Sequence, residues 1–316
     1  MKPSRQTTLR KAVTLTGVGV HSGQPARLVL HPAAANHGIV FLRTGLSNGR
    51  ERLIDARYIH VSTTELCTVL GDKDSGSVST VEHLMAALVG LGVDNVLAEI
   101  DSPEMPILDG SSACFVDAIM SVGLAVQEAS RRYIKVLRPV RIEHGRGFSE
   151  LRPLERGYRL DVEIDFDSQV IGRQRKVMDL DPETFRTEIS RARTFGFLRD
   201  LEKLRKMGLA GGSSLDNSVA IADDGIVNPG GLRYADEFVR HKMLDAVGDL
   251  ALAGYALQGE YRSYCAGHRM NVAVLQSLFS DRANYAIVDA MAPRREFAYA
   301  EIGAGVAVPA YAPDLS

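Results

Sequence analysis

Only three cysteines, Cys67, Cys114 and Cys265, occur in 316 residues, and no two of them form a Cys-x-x-Cys pair. So sparse and odd a set argues against a disulfide framework and against a thiolate zinc site, and fits a reducing compartment. Long apolar runs are missing too. The best candidate, Ala86 to Val93, falls well short of the roughly 18 apolar residues of a membrane span. The start, Met1-Lys2-Pro3-Ser4-Arg5-Gln6-Thr7-Thr8-Leu9, is charged at once and has no apolar core region. It does not read as a secretory leader, so a cytoplasmic location is expected. Neither charge sign dominates: the formal net charge of −2 argues against a nucleic-acid binder held by phosphate contacts. Gly211-Gly212-Ser213-Ser214 resembles a phosphate cradle but lacks the lysine and spacing of a P-loop, and it reads as a flexible turn.

What is present is the composition of an ordinary globular protein, 45% hydrophobic and 24% charged. A chain of 316 residues exceeds what one core usually holds, so two domains are expected. Residues 12–18 alternate, turn at His21-Ser22-Gly23, and return through Ala26-Arg27-Leu28-Val29-Leu30, which is a hairpin signal. A helix from Thr80 to Leu91, a strand at 95–100 and a helix from Ser112 to Val122 follow. Near residue 130 strands begin again. Tyr158 to Phe166 alternates over nine residues, as a half-buried antiparallel strand does. Helices are expected at 198–207, 234–257 and 270–278, with a strand at 218–222. Strands followed by helices in each half suggest two α+β domains, 1–130 and 131–316, the second with a βαβ-like insert near 197–227.

Two segments carry chemistry. In Phe238-Val239-Arg240-His241-Lys242-Met243-Leu244-Asp245-Ala246-Val247-Gly248-Asp249, read as a helix, His241, Asp245 and Asp249 share one narrow arc. Met243, Leu244, Val247 and Leu250 take the opposite side. Side chains at i and i+4 stack on one face, so His241 and Asp245 can reach one cation; a solvated face with a chance histidine is the plain alternative. The second segment is Ser79-Thr80-Val81-Glu82-His83-Leu84-Met85. Its apolar stripe leaves His83 outside and Glu82 on the edge. Zinc catalysis needs about three protein ligands and a base that is not one of them, which His83, His241, Asp245 and Glu82 would supply. Yet Ser79-x-x-Glu82 is also a capping box, and from this segment alone the cap is the simpler reading. The cap leaves His83 unexplained.

With those segments in place, the chain resembles the zinc-dependent UDP-3-O-acyl-N-acetylglucosamine deacetylase family of lipid A biosynthesis over nearly its whole length. The likeness rests on Gly17-Val18-Gly19-Val20-His21-Ser22-Gly23, Ser79-Thr80-Val81-Glu82-His83-Leu84 and Pro106-Ile107-Leu108-Asp109-Gly110-Ser111-Ser112. It continues in Ala192-Arg193-Thr194-Phe195-Gly196-Phe197, His241-Lys242-Met243-Leu244-Asp245 and Gly267-His268. Six motifs in family order are far more specific than any metal-like pair. The resemblance implies two similar α+β domains, each a sheet layered with helices, with the active site at their junction. It implies that His83, His241 and Asp245 bind Zn²⁺, that Glu82 is general base, and that His268 and Thr194 assist. Asp249 would hold His268. Lys242, Phe195, Phe166 (on the uridine side) and Cys67 would be substrate contacts. The implied reaction removes acetate from UDP-3-O-[(3R)-3-hydroxyacyl]-N-acetylglucosamine, the committed step of lipid A biosynthesis.

Taken singly, several of these residues have plainer readings. His268 would be an exposed loop histidine, Thr194 a turn cap, Phe166 core and Lys242 solvated. His21, His31, His37, His60 and His144 receive no role. The chain also departs from the family in two places: Cys265 stands where a basic residue is usual, and the basic residue of the Gly145-Arg146-Gly147 turn is displaced by one. Both bear on diphosphate contacts. A deacetylase for another acetamido sugar nucleotide and a non-catalytic sugar-nucleotide binder are the competing functions. Intact Glu82 and His268 speak against the binder, which needs neither.

Overall fold

A computed structural model describes residues 4–46, 49–72 and 74–290. Met1-Lys2-Pro3 and residues 291–316 of the expected C-terminal domain lie outside the described residues. The first half contains β1 (Arg5–Leu9), β2 (Val13–Val18), β3 (Pro25–Pro32), β4 (Ile39–Arg43), β5 (Arg52–Asp55), β6 (Val61–Thr63), β7 (Val69–Asp72) and β8 (Gly76–Ser79). It continues with α1 (Glu82–Leu91), β9 (Val96–Ile100), α2 (Ala113–Val122) and β10 (Leu124–Ser130). The second half runs through β11 (Arg132–Val136), β12 (Val140–His144), β13 (Gly147–Arg152), β14 (Tyr158–Asp165), β15 (Arg173–Asp179) and a short α3 (Pro182–Thr184). Then come β16 (Phe195–Phe197), α4 (Leu198–Lys206), β17 (Val219–Ile221), α5 (Glu237–Leu250), β18 (Ala256–Tyr264), α6 (His268–Ser280) and β19 (Tyr285–Asp289).

The two halves repeat one topology. The first sheet is ordered β2-β3-β9-β4-β5. In the second, β12-β13-β18 continues through β14 to β15. Each central strand, β9 or β18, lies antiparallel to the hairpin strand β3 or β13 and parallel to β4 or β14. A long helix precedes each central strand and another follows it: α1 and α2 around β9, α5 and α6 around β18. An outer antiparallel pair, β1 with β10 and β11 with β19, completes each half. Two pieces break the repeat, the meander β6-β7-β8 in the first half and the parallel β16-α4-β17 unit in the second.

Because the halves are equivalent, their equivalent helices α1 and α5 meet, and this contact positions the site. The helices come together at Gly248, where a Cβ would lie 2.0 Å from the carbonyl oxygen of Glu82. Glycine therefore permits an approach that no other residue would. Leu84, Met85 and Leu88 of α1 belong to the same buried core as Leu28, Leu30 and Phe41 of the first sheet.

The solvated alternative for the α5 face does not hold, and the polar arcs of α1 and α5 are covered: Glu82, His83, His241, Asp245 and Asp249 are all buried. Two expectations are corrected. The helix expected to reach Leu257 ends at Leu250; a short 3-10 turn and Gly254 at φ +88° intervene, and Ala256 already belongs to β18. The Gly211-Gly212 turn is not a free loop, since the N–H groups of Gly211 and Gly212 donate to the carbonyls of His21 and Val20 at 2.8 and 3.0 Å. No helix among the described residues is long and apolar enough to cross a membrane.

Candidate active site

The capping reading of Glu82 does not hold. Helix α1 starts after Val81 with no side-chain cap, and the Ser79 hydroxyl donates instead to the carbonyl of Pro103. Glu82 Oε2 accepts from the backbone N–H of Thr68 at 3.2 Å, and the Ser79 N–H that a capping box would use donates to the carbonyl of Pro103 at 2.9 Å. Its Oε1 lies 3.7 Å from His268 Nε2.

Beside it, one ligand atom from each of His83, His241 and Asp245 lies within 4.8 Å of the others. His241 Nε2 is 3.3 Å, and His83 Nε2 3.7 Å, from Asp245 Oδ1. His241 Nδ1 is 3.1 Å from the carbonyl of Ala192, which can only accept, so Nδ1 carries the proton and Nε2 presents a lone pair. A lone pair and a carboxylate oxygen thus face each other in a buried place. A shared proton does not resolve this. Burial, then His241, pushes His83 down to about 3, and burial also lowers His241. A divalent cation does resolve it. Donors of a tetrahedral zinc site stand roughly 3.3 Å apart for metal–nitrogen bonds of about 2.0–2.1 Å. Two imidazoles and one carboxylate, with one ring tautomer fixed by a carbonyl, suit such an ion.

Around these donors sit a buried carboxyl and a buried imidazole, both held above their ordinary titration ranges. Burial, partly offset by His268, raises Glu82 to about 7. On His268 burial acts the other way, but Asp249 and then Glu82 outweigh it and raise the imidazole to about 9. Asp249 is 0% exposed. Its Oδ2 is 2.8 Å from His268 Nδ1 and accepts from Asn271 Nδ2, while Oδ1 accepts from the Thr68 hydroxyl at 2.6 Å. Thr68 therefore links the two groups, with its N–H on Glu82 and its hydroxyl on Asp249. A carboxyl brought near neutrality beside an imidazole held above it suits acid–base work, because each group then keeps the protonation state its part requires.

The site opens into a cavity of about 740 Å³. Glu82, His83, His241, Lys242, Asp245, His268 and Thr194 form its polar end, and residues of the β16-α4-β17 unit its apolar length. Thr194 is fixed by its backbone, with N–H donating to Gly110 at 2.7 Å and carbonyl accepting from Val219 at 2.8 Å. A buried pair steadies this segment, Arg193 Nε to Glu237 Oε1 at 2.9 Å, with Glu237 in the first turn of α5. Lys242 Nζ donates to Asp245 Oδ2 at 2.6 Å and lies 5.8 Å from the centre of the Phe195 ring.

Two expected substrate contacts are not among the residues that line this cavity. Phe166 packs edge-on against Phe195 at 5.7 Å and lines an adjoining cavity with Phe197 and Arg199. Cys67, 6% exposed, is not part of the lining, which Thr64 and Leu66 form in that stretch. Arg146 is turned to Asp165, 3.3 Å away, and Cys265 sits at φ +47° in the loop before His268. Sequence reasoning passed over His21, which lines the cavity with its Nδ1 buried and unpartnered, and over Thr68, Glu104 and Asn271. His21 stands inside one of the quoted motifs, which was the available signal.

The sequence profile of UDP-3-O-acyl N-acetylglycosamine deacetylases matches residues 6–280. UDP-3-O-acyl-N-acetylglucosamine deacetylases of Brucella ovis and Brucella canis are each 51% identical over 286 residues, covering 90% of this chain and 99% of theirs. That of Brucella melitensis biotype 2 is similar to the same extent.

Proposed function

The chain belongs to the UDP-3-O-acyl N-acetylglycosamine deacetylase family, and from that premise we propose that it hydrolyses the N-acetyl group of UDP-3-O-[(3R)-3-hydroxyacyl]-N-acetylglucosamine in lipid A biosynthesis. The products are acetate and the 2-amino sugar nucleotide. One observation carries the reading: three cation donors, a carboxyl raised to about 7 and an imidazole raised to about 9 meet at the polar end of an otherwise apolar cavity. His83, His241 and Asp245 would hold Zn²⁺, which takes nitrogen and carboxylate ligands readily. Bound there, the ion would supply Lewis acidity towards the amide carbonyl and the attacking water. Three free cysteines support a reducing, cytoplasmic setting.

The chain's own groups do the rest. As the water oxygen bonds to the acetyl carbon, the Glu82 carboxylate takes the water proton. The Thr194 hydroxyl donates to the carbonyl oxygen as negative charge gathers on it. His268, protonated at neutral pH, gives a proton from Nε2 to the amine nitrogen as the C–N bond breaks. Asp249 holds the opposite ring nitrogen, so the ring keeps its orientation throughout. Lys242, Phe195 and Phe166 would contact the sugar nucleotide.

Asp249→Asn tests the assignment of His268. Activity that needs the imidazolium is lost as pH rises through its pKa, and Asp249 is a principal cause of that high value. The variant's basic limb in kcat against pH should therefore move to lower pH, the limb reporting the coupled set rather than one group. An unmoved limb removes His268 and Asp249 from proton delivery.

The substrate is tested through the cavity's apolar length. Leu198, Leu201 and Leu204 of α4 and Val219 and Ala220 of β17 line it, and Leu198, Leu215 and Val227 are exposed without cover. Each CH₂ of an acyl chain buried there contributes about 0.8 kcal/mol. The wild type should release acetate with much higher kcat/KM from the 3-O-acylated UDP-sugar than from UDP-N-acetylglucosamine. Ala220→Trp should depress the acylated substrate selectively. Equal efficiency on both substrates would mean that these residues pack only against their own unit, and would favour another acetamido sugar nucleotide.

A further inference from the structure

One buried carboxylate near the site takes no part in the chemistry above. Glu104, 2% exposed, lies in the chain segment that runs beside Ser79. Its Oε1 accepts from the N–H of His21 at 2.9 Å and from the Thr80 hydroxyl at 3.1 Å; its Oε2 accepts from the N–H of Ser22 at 2.7 Å. The surroundings are built for it. A Cβ on Gly19 would lie 2.2 Å from Oε2, so only glycine leaves the carboxylate its place.

The residues it holds are special on both sides. Thr80 sits at φ +58°, a left-handed conformation that a β-branched residue rarely adopts, two positions before Glu82. Strain of this kind persists only where neighbours enforce it. The 19–22 turn carries His21 into the cavity wall, and through the carbonyls of Val20 and His21 it receives Gly212 and Gly211, at the edge of the unit that forms the apolar length. Three walls of the cavity meet at one side chain.

We infer that Glu104 is a positioning residue for the deacetylation: by binding the 21–22 amides and the Thr80 hydroxyl together, it fixes the entry to α1, and with it Glu82, relative to His21 and the acyl passage. This rests on the deacetylase reading. Glutamine keeps the shape but offers one acceptor oxygen to three donors and turns an NH₂ towards the rest. Leaving donors unmet loosens Thr80, whose strained backbone then relaxes and carries Glu82 with it.

The test compares wild type, Glu104→Gln and Glu104→Gln/Thr80→Gly for kcat, KM, metal content and melting temperature. In Glu104→Gln, kcat should fall about 10-fold or more, the scale that small misplacement of a reacting group causes, with KM within about threefold and metal content unchanged. Glycine adopts positive φ without strain, so Thr80→Gly in that background should recover about threefold or more of the lost kcat. A Glu104→Gln kcat within about threefold of wild type, or no recovery from Thr80→Gly, would overturn the inference. If Glu104→Gln does not fold, Thr80→Ala against Thr80→Gly decides with Glu104 intact. Alanine loses the anchor and keeps the strain, so it should be the slower of the two; equal rates or the reverse order would overturn the inference. Absence of acetate release by the wild type would instead count against the deacetylase reading.

Discussion

Replacing Glu82 with glutamine is expected to lower kcat by about 10²–10⁴-fold, the usual contribution of a general base. Stability should change little. The glutamine carbonyl still accepts from the Thr68 N–H, now the bond that orients the side chain, and no helix cap is lost because none exists. Relief of a buried carboxyl, raised to about 7, offsets part of whatever packing is disturbed. Activity falls because the amide cannot take a proton, so metal content and KM should stay near wild type while kcat collapses. Turnover within a few-fold of wild type, measured as acetate release at pH 7–8, would remove Glu82 from the role of base.

The second large effect concerns the donors. His83→Ala, His241→Ala and Asp245→Ala should each abolish most metal binding and most activity together. Each takes one of three donors from a site that has no spare among the described residues. The loss in affinity should exceed the 10–100-fold that changes in an outer shell produce. Asp245→Ala should also disturb Lys242, whose ammonium loses its 2.6 Å partner. The purified wild type should carry about one zinc ion per chain. Metal analysis by mass spectrometry and the acetate assay on the same preparations check this. Full metal content in all three variants would overturn the donor set.

What the sequence made legible was local. His241 and Asp245 are four residues apart, and Glu82 and His83 are neighbours, so helical geometry alone aligns them. The hairpin of β2 and β3 was visible because its alternation survives on a half-buried sheet face. His268 and Thr194 were reached only through family motifs, since position alone made them a loop histidine and a turn residue. Burial deceived the reading elsewhere. A polar arc on α1 or α5 looks solvated until the equivalent helix of the other half covers it. Ser79-x-x-Glu82 looks like a cap until Thr68 takes the carboxylate. The hydroxyl of Thr68 meets Asp249 across 181 residues of sequence, and no local pattern encodes such a contact. Strand β15 was missed for a similar reason. It is an edge strand whose two large apolar side chains, Val177 (51% exposed) and the partly buried Met178, are adjacent, so no apolar alternation betrays it.

The most direct measurement is acetate release from UDP-3-O-acyl-N-acetylglucosamine by one preparation in three states: as purified, stripped with a chelator, and reloaded with one equivalent of Zn²⁺. The account predicts that each acetate released is matched by one free sugar amine, that stripping reduces the rate in proportion to metal removed, and that zinc restores it. Full turnover by stripped protein, or no amine formed by the zinc-loaded protein, would contradict it.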